Sequence, residues 1–231
     1  MPRLESASAQ DILEWALKTF GDRFAIVTSF QKEGMVTVDL ARRLAEGVRV
    51  VTLDTGRLPE ETHHMIEMVR QQYGIAVEVV LPDPEEVKRM VMANGPNLFY
   101  ASVEARQMCC EVRKVRPLER KLAEVDAWAA GLRREQAETR SGVAKAEVVN
   151  GRVKLNPLAD WTSAQVERYI QEHHVPVHPL YERGFQTVGC APCTRAVAPG
   201  EDPRSGRWWW ERDEHKECGI HFTPGGLVRH A

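Results

Sequence analysis

Residues 24–34 read FAIVTSFQKEG and join an apolar run to the start of an amphipathic segment. The run Phe24–Thr28 has the length and composition of a buried strand. The loop Ser29–Gly34 leads into residues 35–45, where apolar side chains recur at the spacing of an amphipathic helix. A strand that passes through a short loop into a helix predicts one unit of a parallel α/β sheet.

The same alternation extends on both sides of this unit. The sequence predicts further helices at residues 9–20, 59–73, 84–93, 103–123 and 162–173, with a kink or a division of the fourth at Pro117. It predicts further buried strands at residues 48–53, 76–81 and 126–131, and a hairpin at residues 148–153 around Asn150-Gly151. This pattern indicates an α/β protein with a mostly parallel, twisted sheet flanked by helices.

The bulk composition excludes several classes of protein. The chain has 231 residues, 28% of them charged, and a formal net charge of −2, which gives no support to bulk attraction to nucleic acid or membranes. No apolar run approaches the roughly 20 residues that span a bilayer, and the N-terminus has no apolar stretch of the signal-peptide type. We therefore expect a cytoplasmic protein with no nucleic-acid or membrane partner. A homo-oligomer remains open.

Three predicted strands end in residues suited to binding an anion. In open parallel sheets, ligands bind beyond the carboxyl ends of the strands. These ends are residues 28–34, 53–56 and 131–136, the last with Arg140 close behind. Taken singly, the three strand ends are explained by a helix cap, a turn and solvated arginines, respectively. Because all three are expected at one edge of the sheet, together they favour a binding site for an anionic nucleotide. The loop has neither a Walker ending nor G-x-G-x-x-G, so a simple ATPase or dinucleotide-binding protein is disfavoured.

The C-terminal part of the sequence departs from the alternating pattern. Proline, glycine and charged residues are dense through residues 199–206. We expect residues 1–199 to form the nucleotide-binding α/β domain and residues 200–231 to form a C-terminal tail or lid. Three consecutive tryptophans, Trp208–Trp210, are costly to leave in water, so packing that fastens the tail is expected, with stacking on adenine as the alternative.

Four of the five cysteines form a split set of soft metal ligands: Cys109, Cys110, Cys190 and Cys193. A reducing cytosol argues against disulfides between them. Two adjacent cysteines are poorly oriented to bind the same structural zinc ion, because neighbouring side chains on a helix point about 100° apart. An iron–sulfur cluster spans several ångströms and accepts two neighbouring thiolates more readily. The residues favour such a cluster, while zinc and buried unliganded thiols stay open.

The fifth cysteine, Cys218, is a candidate nucleophile. His215, Lys216 and His221 can stabilise its thiolate, whereas Glu217 opposes it, so the neighbours leave a free surface thiol as an equal alternative.

Five stretches together resemble one known family. They are LDTGRLPEET (53–62), CCEVRKV (109–115), GLRREQ (131–136), CAPC (190–193) and ECGIH (217–221). With them, the sequence from Ser29 to His221 resembles the assimilatory sulfonucleotide reductases, specifically the cluster-bearing adenylyl-sulfate (APS) reductases.

The resemblance implies an adenine nucleotide α-hydrolase-like fold with a modified PP-loop at residues 28–34, less glycine-rich than in many relatives. It implies one 4Fe–4S cluster on Cys109, Cys110, Cys190 and Cys193, with Lys114 between cluster and substrate and Cys218 as the catalytic cysteine. Contacts to the phosphosulfate are implied for Arg204, Arg207 and the catalytic-site residue His221. The remaining substrate-binding residues that we expect are Ser29, Phe30, Leu53, Asp54, Gly131, Arg133, Arg134 and Arg140.

The implied function is reduction of APS to sulfite and AMP, in sulfate assimilation and cysteine biosynthesis. A Cys218 S-sulfonate would be the intermediate, and thioredoxin or glutaredoxin the electron donor. Retention of all four cluster cysteines favours APS over 3′-phosphoadenylyl sulfate (PAPS), with a PAPS or dual-substrate reductase as the alternative. More distant alternatives are an ATP-using PP-loop adenylyltransferase or thiolase acting on RNA, and a zinc-bound nucleotide sensor.

Overall fold

The computed structural model describes residues 2–211, with side chains from Leu4 onward. The helices are α1 Pro2–Glu5, α2 Ala9–Phe20, α3 Lys32–Leu44, α4 Glu60–Tyr73, α5 Pro84–Asn94, α6 Val103–Cys110, α7 Arg116–Leu122 and α8 Ser163–His173. Within this part of the chain, no helix is long and apolar enough to cross a bilayer.

Six short strands form one sheet. They are β1 Phe24–Val27, β2 Val50–Leu53, β3 Val77–Val80, β4 Ala127–Ala129, β5 Ala146–Val149 and β6 Arg152–Leu155, in the spatial order β3-β2-β1-β4-β6-β5. Strand β1 pairs in parallel with β2 and β4, and β4 pairs in parallel with β6. The predicted mostly parallel sheet flanked by helices is therefore confirmed.

The predicted hairpin around Asn150-Gly151 is also confirmed, because β5 and β6 pair antiparallel on either side of these residues. Both turn residues have positive φ, 51° at Asn150 and 77° at Gly151. This is the backbone of a type I′ turn, which matches the twist of the flanking strands and favours Asn-Gly.

Helix α3 begins at Lys32, three residues before the predicted start. The polar residues Lys32, Glu33 and Gly34 looked like a loop in the sequence but form the first helical turn. Gly34 packs so closely on β1 that a Cβ atom there would lie 2.2 Å from Thr28 Oγ1. The glycine therefore lets the helix start directly beside the end of the strand.

The predicted helix over residues 103–123 is divided by a π-helical turn at Glu111–Val115. Pro117 follows this turn. Its missing N–H and its ring conflict with the carbonyl four residues earlier, at Arg113, and a π-helical turn can absorb that conflict. The predicted division is thus present, and it lies just upstream of the proline.

The described residues divide into two compact units. The first, here called the sheet unit, contains residues 2–52, 62–78 and 122–178, and its core is formed by β1, α2, α3 and their neighbours. The second, here called the cysteine unit, contains residues 53–61, 79–121 and 179–211. It has its own core, in which Leu98, Phe99 and Trp208 pack with the cysteines.

The expected tail is only partly described. Residues 200–211 belong to the cysteine unit, whereas residues 212–231, with Cys218 and His221, lie outside the described residues. The expected packing holds for two of the three tryptophans, since Trp208 is buried and Trp210 packs against the same core, whereas Trp209 is 40% exposed. The domain boundary after residue 199 stays a prediction.

Candidate active site

The loop between β1 and α3 in the sheet unit has the features of an anion site. Phe30 has a left-handed φ of 58°, and its N–H donates to Thr28 Oγ1 at 2.9 Å. Gln31 is the N-cap of α3, but its side chain makes no capping hydrogen bond; instead it donates to Ser29 Oγ at 3.1 Å. The positive end of the helix dipole and the first-turn N–H groups favour an anion at this place.

The predicted ligand residues Ser29 and Phe30 differ in what they can offer. Ser29 is exposed on the loop, so its hydroxyl is accessible. The Phe30 side chain is 0% exposed and packs in the core of the sheet unit. Any contact that Phe30 makes with a ligand would therefore come from its backbone.

Gly131 lies directly against the first turn of α3. A Cβ atom at Gly131 would lie 2.7 Å from the Gly34 nitrogen and 2.9 Å from the Glu33 carbonyl carbon. Contacts this short do not occur for real side chains, so only glycine fits between the end of β4 and the helix. The structure thus brings predicted site residue Gly131 to the anion-binding loop.

Arg133 is buried and its guanidinium is fully occupied by partners in the sheet unit. It donates to Glu33 Oε1 at 3.0 Å, Glu135 Oε2 at 3.0 Å, the Trp161 carbonyl at 3.1 Å and Ser163 Oγ at 3.1 Å. These bonds tie the first turn of α3 to the start of α8. Direct binding of a nucleotide by Arg133 would require some of them to be exchanged.

The other two predicted arginines of this stretch also have protein partners. Arg134 Nε donates to the Val143 carbonyl at 2.9 Å, and its guanidinium pairs with Glu5. Arg140 Nη1 donates to Gln136 Oε1 at 2.7 Å. Both residues are half-buried. Their roles as substrate ligands stay predictions.

Leu53 and Asp54 begin the cysteine unit, and both are half-buried. Asp54 Oδ1 accepts from the Gly56 N–H at 2.8 Å, and the Asp54 N–H donates to the Val80 carbonyl at 2.9 Å. Asp54 therefore forms a turn, which was the structural alternative for this residue. A contact with substrate stays a prediction for Leu53 and Asp54.

Four free cysteines line one cavity in the cysteine unit, and all four are buried. Cys109 and Cys110 close α6, Cys190 directly precedes a single 3₁₀ turn at Ala191–Cys193, and Cys193 is the last residue of that turn. The two pairs are far apart in sequence, so only the folded chain brings them together. The same cavity is lined by four cationic side chains: Arg57, Arg106, Arg113 and Lys114.

Hydrogen bonds hold the turn that carries Cys190 and Cys193. The Cys190 carbonyl accepts from the Cys193 N–H at 2.9 Å and from Thr194 Oγ1 at 3.0 Å. The Cys193 carbonyl accepts from the Trp208 N–H at 3.2 Å. Thr55 Oγ1 lies 3.2 Å from Cys190 Sγ. The thiols are therefore presented by a turn with few free backbone groups.

Burial raises the pKa of the Cys109 thiol and raises that of Cys193 to about 12. Lys114 opposes this shift at both thiols, Arg113 at Cys109 and Arg207 at Cys193. As free thiols, these groups are thus neutral at physiological pH. Metal binding requires thiolates, and the surrounding cations would stabilise them.

Trp208 also suits a thiolate-bound metal centre in the cysteine cavity. Trp208 Nε1 is buried, lines the same cavity and has no hydrogen-bond partner among the described residues. A buried N–H donor without a partner is costly, and sulfur or another acceptor in the cavity would relieve that cost.

Between residues 2 and 211, no three or more His, Cys, Asp or Glu side chains are grouped so as to hold one metal ion.

The predicted phosphosulfate ligand Arg207 is buried beside the Cys190–Cys193 turn. Its Nη1 donates to Thr194 Oγ1 at 3.3 Å, and its Cζ lies 4.6 Å from the centroid of the Trp208 ring. Gly189 makes room for it, because a Cβ atom there would lie 1.7 Å from Arg207 Nη1. The Arg204 carbonyl accepts from the Arg207 N–H at 2.8 Å. The phosphosulfate contacts of both arginines stay predictions.

Lys114 lies in the π-helical turn and lines the cysteine cavity, while its place between a cluster and the substrate stays a prediction. Its contact with substrate stays a prediction. Cys218 and His221 lie outside the described residues, so their predicted roles are also untested.

Sequence reasoning missed several residues that shape the cavity: Thr55, Arg57, Arg106, Arg113 and Trp208. Arg106 was detectable, because it precedes Cys109 and Cys110 by three and four residues and so shares their face of α6. Arg57 and Arg113 stand inside the matching stretches LDTGRLPEET and CCEVRKV. The contact between Thr55 and Cys190 had no local signal.

Comparison with known proteins connects this geometry to a family. The family model of the phosphoadenosine phosphosulfate reductase domain matches residues 23–196. An adenosine 5′-phosphosulfate reductase of Allochromatium vinosum is 48% identical over 208 residues, covering 88% of this chain and 81% of the relative. One of Pseudomonas aeruginosa (strain LESB58) is 44% identical over 236 residues, covering 99% and 86%.

A solved structure agrees with these relatives. The phosphoadenylyl-sulfate (PAPS) reductase of Candida auris, in a phosphate complex, superposes with a TM-score of 0.71 at 27% identity, covering 85% of this chain and 93% of that one. The predicted adenine nucleotide α-hydrolase-like (PP-loop) fold and the predicted resemblance are thereby confirmed. From its sequence, its sheet and its relatives, the chain belongs to the phosphoadenosine phosphosulfate reductase domain family.

Proposed function

We propose that this chain reduces adenylyl sulfate to sulfite and AMP in the assimilation of sulfate for cysteine biosynthesis. The observation that carries this is the 44–48% identity, over most of both chains, to relatives named adenosine 5′-phosphosulfate reductase. The cavity lined by four buried cysteines supports it, because it supplies the ligands expected of a cluster-bearing member.

The sheet unit binds the nucleotide in this proposal. The start of α3 and the Ser29 hydroxyl receive an anionic group, and Gly131 keeps that place open. Arg134 and Arg140, both half-buried, contribute positive charge to the substrate site in this proposal. Arg133 acts by holding the first turn of α3, since its own donors are engaged.

The chemistry begins with the Cys218 thiolate. It attacks the sulfur of adenylyl sulfate, an S–S bond forms, the bond from sulfur to the phosphate oxygen breaks, and AMP leaves with the electron pair. Two anions meet in this step, so positive charge around the sulfate and the departing phosphate lowers its barrier. That charge comes from Lys114, Arg204, Arg207 and His221.

A dithiol protein, thioredoxin or glutaredoxin, completes the cycle. Its first thiolate attacks Cys218 Sγ, and sulfite leaves with the S–S electron pair, which reduces that sulfur by two electrons. Its second thiol then resolves the mixed disulfide and returns Cys218 as a thiolate. The donor leaves as a disulfide, so the two electrons that sulfite carries are accounted for.

Cys109, Cys110, Cys190 and Cys193 would hold one 4Fe–4S cluster. When bound, the cluster would supply a charged group that orients Lys114. It need not carry electrons, because the thiols of the donor protein provide both electrons of the reaction. Arg57 and Arg113, which line the same cavity, would compensate the thiolate charge from the protein side.

The direct test is anaerobic turnover with APS and PAPS side by side, with thioredoxin as donor and sulfite as the readout. We expect faster turnover of APS. The reverse preference would support the PAPS alternative, which the likeness to the Candida auris PAPS reductase keeps open. Absence of sulfite from both substrates would refute the proposal.

The variant Cys218→Ser should form no sulfite and still bind AMP, because serine cannot form the S-sulfonate. Thr223→Ala, a change in the same segment without redox chemistry, is the matched control and should retain activity. Turnover by Cys218→Ser would show that the thiol is not the nucleophile. Glutaredoxin in place of thioredoxin tests the choice of donor.

A cytoplasmic location and a homo-oligomer belong to the proposal as expectations.

A further inference from the structure

Two neighbouring aromatic side chains of the cysteine unit are partly exposed to solvent. Tyr100 is 46% exposed and Trp209 is 40% exposed, and their ring centroids are 6.4 Å apart. We call these two residues the aromatic patch. Large aromatic side chains that remain exposed together are typical of surfaces that bind another molecule.

The aromatic patch is held by a third ring and by a hydrogen bond. Behind it, Trp210 lies 4.5 Å from Tyr100 and 4.8 Å from Trp209, measured between ring centroids. The Tyr100 hydroxyl donates to the Pro192 carbonyl at 3.0 Å, which ties the patch to the Cys190–Cys193 turn. A partner would therefore find these rings already in place, with little side-chain entropy left to lose.

The chain leaves the described residues directly beside this patch. Glu211 is held by Arg106, with Nε–Oε1 and Nη2–Oε2 distances of 3.0 and 2.8 Å. The two side chains are only 1% and 3% exposed, so the pair is a buried, bidentate anchor. Cys218 lies seven residues beyond Glu211 and therefore stays within about 25 Å of the anchor.

We propose that the aromatic patch is the docking surface for the dithiol protein that reduces the Cys218 S-sulfonate. This inference rests on the proposed function. A dithiol partner must bring a thiolate into contact with Cys218 Sγ, so it has to bind within reach of the anchored segment. Tyr and Trp are the side chains that most often dominate binding energy, and a small patch suits a weak, short-lived redox encounter.

The step that the patch assists is the second half of the reaction. The partner thiolate forms an S–S bond with Cys218 Sγ, the bond from Sγ to the sulfonate sulfur breaks, and sulfite leaves with its electron pair. The partner's own dithiol supplies the two electrons. No contact between the aromatic patch and the nucleotide is required, so the two half-reactions can be separated by experiment.

The experiment measures both half-reactions of the Trp209→Ala holoenzyme. Formation of the S-sulfonate from APS is followed without thioredoxin, and its reduction is then followed against thioredoxin concentration. We expect S-sulfonate formation within twofold of the unmodified enzyme and a KM for thioredoxin raised about tenfold, as for loss of an interface aromatic residue. Val148→Ala, which trims a 55% exposed side chain on β5, is the matched control and should change neither value.

An unchanged KM for thioredoxin in Trp209→Ala overturns the inference. A selective loss of S-sulfonate formation also overturns it, because it would mean that the chain's own residues 212–231 use the patch. Failure of the unmodified enzyme to form any S-sulfonate would instead refute the proposed function.

A second measurement needs no change at the patch and decides the matter if Trp209→Ala does not fold. A thioredoxin that lacks its resolving cysteine is trapped as a mixed disulfide with Cys218. Amide hydrogen exchange of residues 98–101 and 207–211 should slow at least severalfold in the trapped complex. Unchanged exchange in both segments would show that the partner docks elsewhere.

Discussion

Single residues at the cysteine cavity act through the groups they connect. Thr55 Oγ1 lies 3.2 Å from Cys190 Sγ, while the Thr55 carbonyl accepts from Arg113 Nη1 at 2.7 Å. Thr55 therefore links a thiol to one of the cations that line the cavity. A hydroxyl close to sulfur can donate to a thiolate and stabilise it, so Thr55 supports the ligand form of Cys190.

Gly131 supports the first prediction at the residue scale. In Gly131→Ala, the new Cβ would lie 2.7 Å from the Gly34 nitrogen, so the end of β4 and the start of α3 must separate. We expect the free energy of unfolding to fall by about 1–3 kcal/mol, as for other overpacked sites. AMP affinity should fall about tenfold, because the anion-binding turn moves.

Gly142→Ala is the matched control, since nothing lies within 4 Å of a Cβ at that position. Chemical denaturation and calorimetric titration with AMP measure the two effects. Equal behaviour of the two variants would mean that the backbone approach at Gly131 is not needed for binding.

At the scale of elements, α3 serves both the nucleotide loop and the core of the sheet unit. Its first turn carries the proposed anion site, and its middle carries Asp39, whose side chain is 1% exposed. Asp39 Oδ2 accepts from Arg43 Nε at 2.6 Å and from the Tyr169 hydroxyl at 2.9 Å. This carboxylate thus fastens α3 to α8.

The pKa of Asp39 leads to a prediction about pH. Burial alone would raise this pKa, but the hydrogen bonds from Arg43 and Tyr169 and the charge of Arg43 outweigh burial and lower it. A lowered pKa in the folded state stabilises the protein above the unfolded pKa of about 4 and is lost as the pH falls through the folded value. The unfolding free energy of the unmodified protein should therefore fall below pH 4 more steeply than that of Asp39→Asn.

Tyr169→Phe is the comparison variant for this prediction. It removes one of the hydrogen bonds that lower the pKa of Asp39, so its folded pKa lies closer to the unfolded value. Its stability should therefore fall by less below pH 4, and level off at a higher pH, than that of the unmodified protein. Denaturation curves between pH 2.5 and 7 measure both effects. If the unmodified protein and Asp39→Asn lost stability in parallel, the ion pair of Asp39 would contribute nothing to folding.

At the scale of the whole molecule, the two units carry different chemistry. The sheet unit has the helix N-terminus and the closely packed glycines of the proposed nucleotide site. The cysteine unit has the thiols, the cations around them and the anchored start of the C-terminal segment. Burial raises the pKa of the Cys109 and Cys193 thiols, and a thiolate-bound cluster would place negative charge beside Arg113 and Lys114.

Replacing one proposed cluster ligand tests whether Cys109, Cys110, Cys190 and Cys193 hold a cluster and Cys218 does not. Cys193→Ser should lose the iron and the visible absorbance expected near roughly 400 nm for an iron–sulfur protein. Hydrogen exchange of residues 190–194 should rise with it. Cys218→Ser is the matched control and should keep both iron and absorbance. Stoichiometric zinc in a colourless, active protein would replace the cluster in the proposal.

Much of the fold could be predicted from the sequence because its signals are local. Helix α2 occupies residues 9–20 as predicted, and the Asn150-Gly151 hairpin forms as predicted. The start of α3 was placed too late, since polar residues in a first helical turn look like a loop. The π-helical turn at Glu111–Val115 was foreseen only as a disturbance at Pro117.

Local sequence patterns predicted the parallel α/β sheet and the family, and both are confirmed. They also set four cysteines apart from Cys218, whose separate role stays a prediction. Periodicity, turn residues and motif spacing act over a few residues, so they survive in a linear reading. Three features emerge only from the folded chain: Cys109 and Cys110 share a cavity with Cys190 and Cys193, Thr55 contacts Cys190, and the Phe30 side chain is buried. These contacts join residues distant in the chain, and their formation depends on packing that no local pattern encodes.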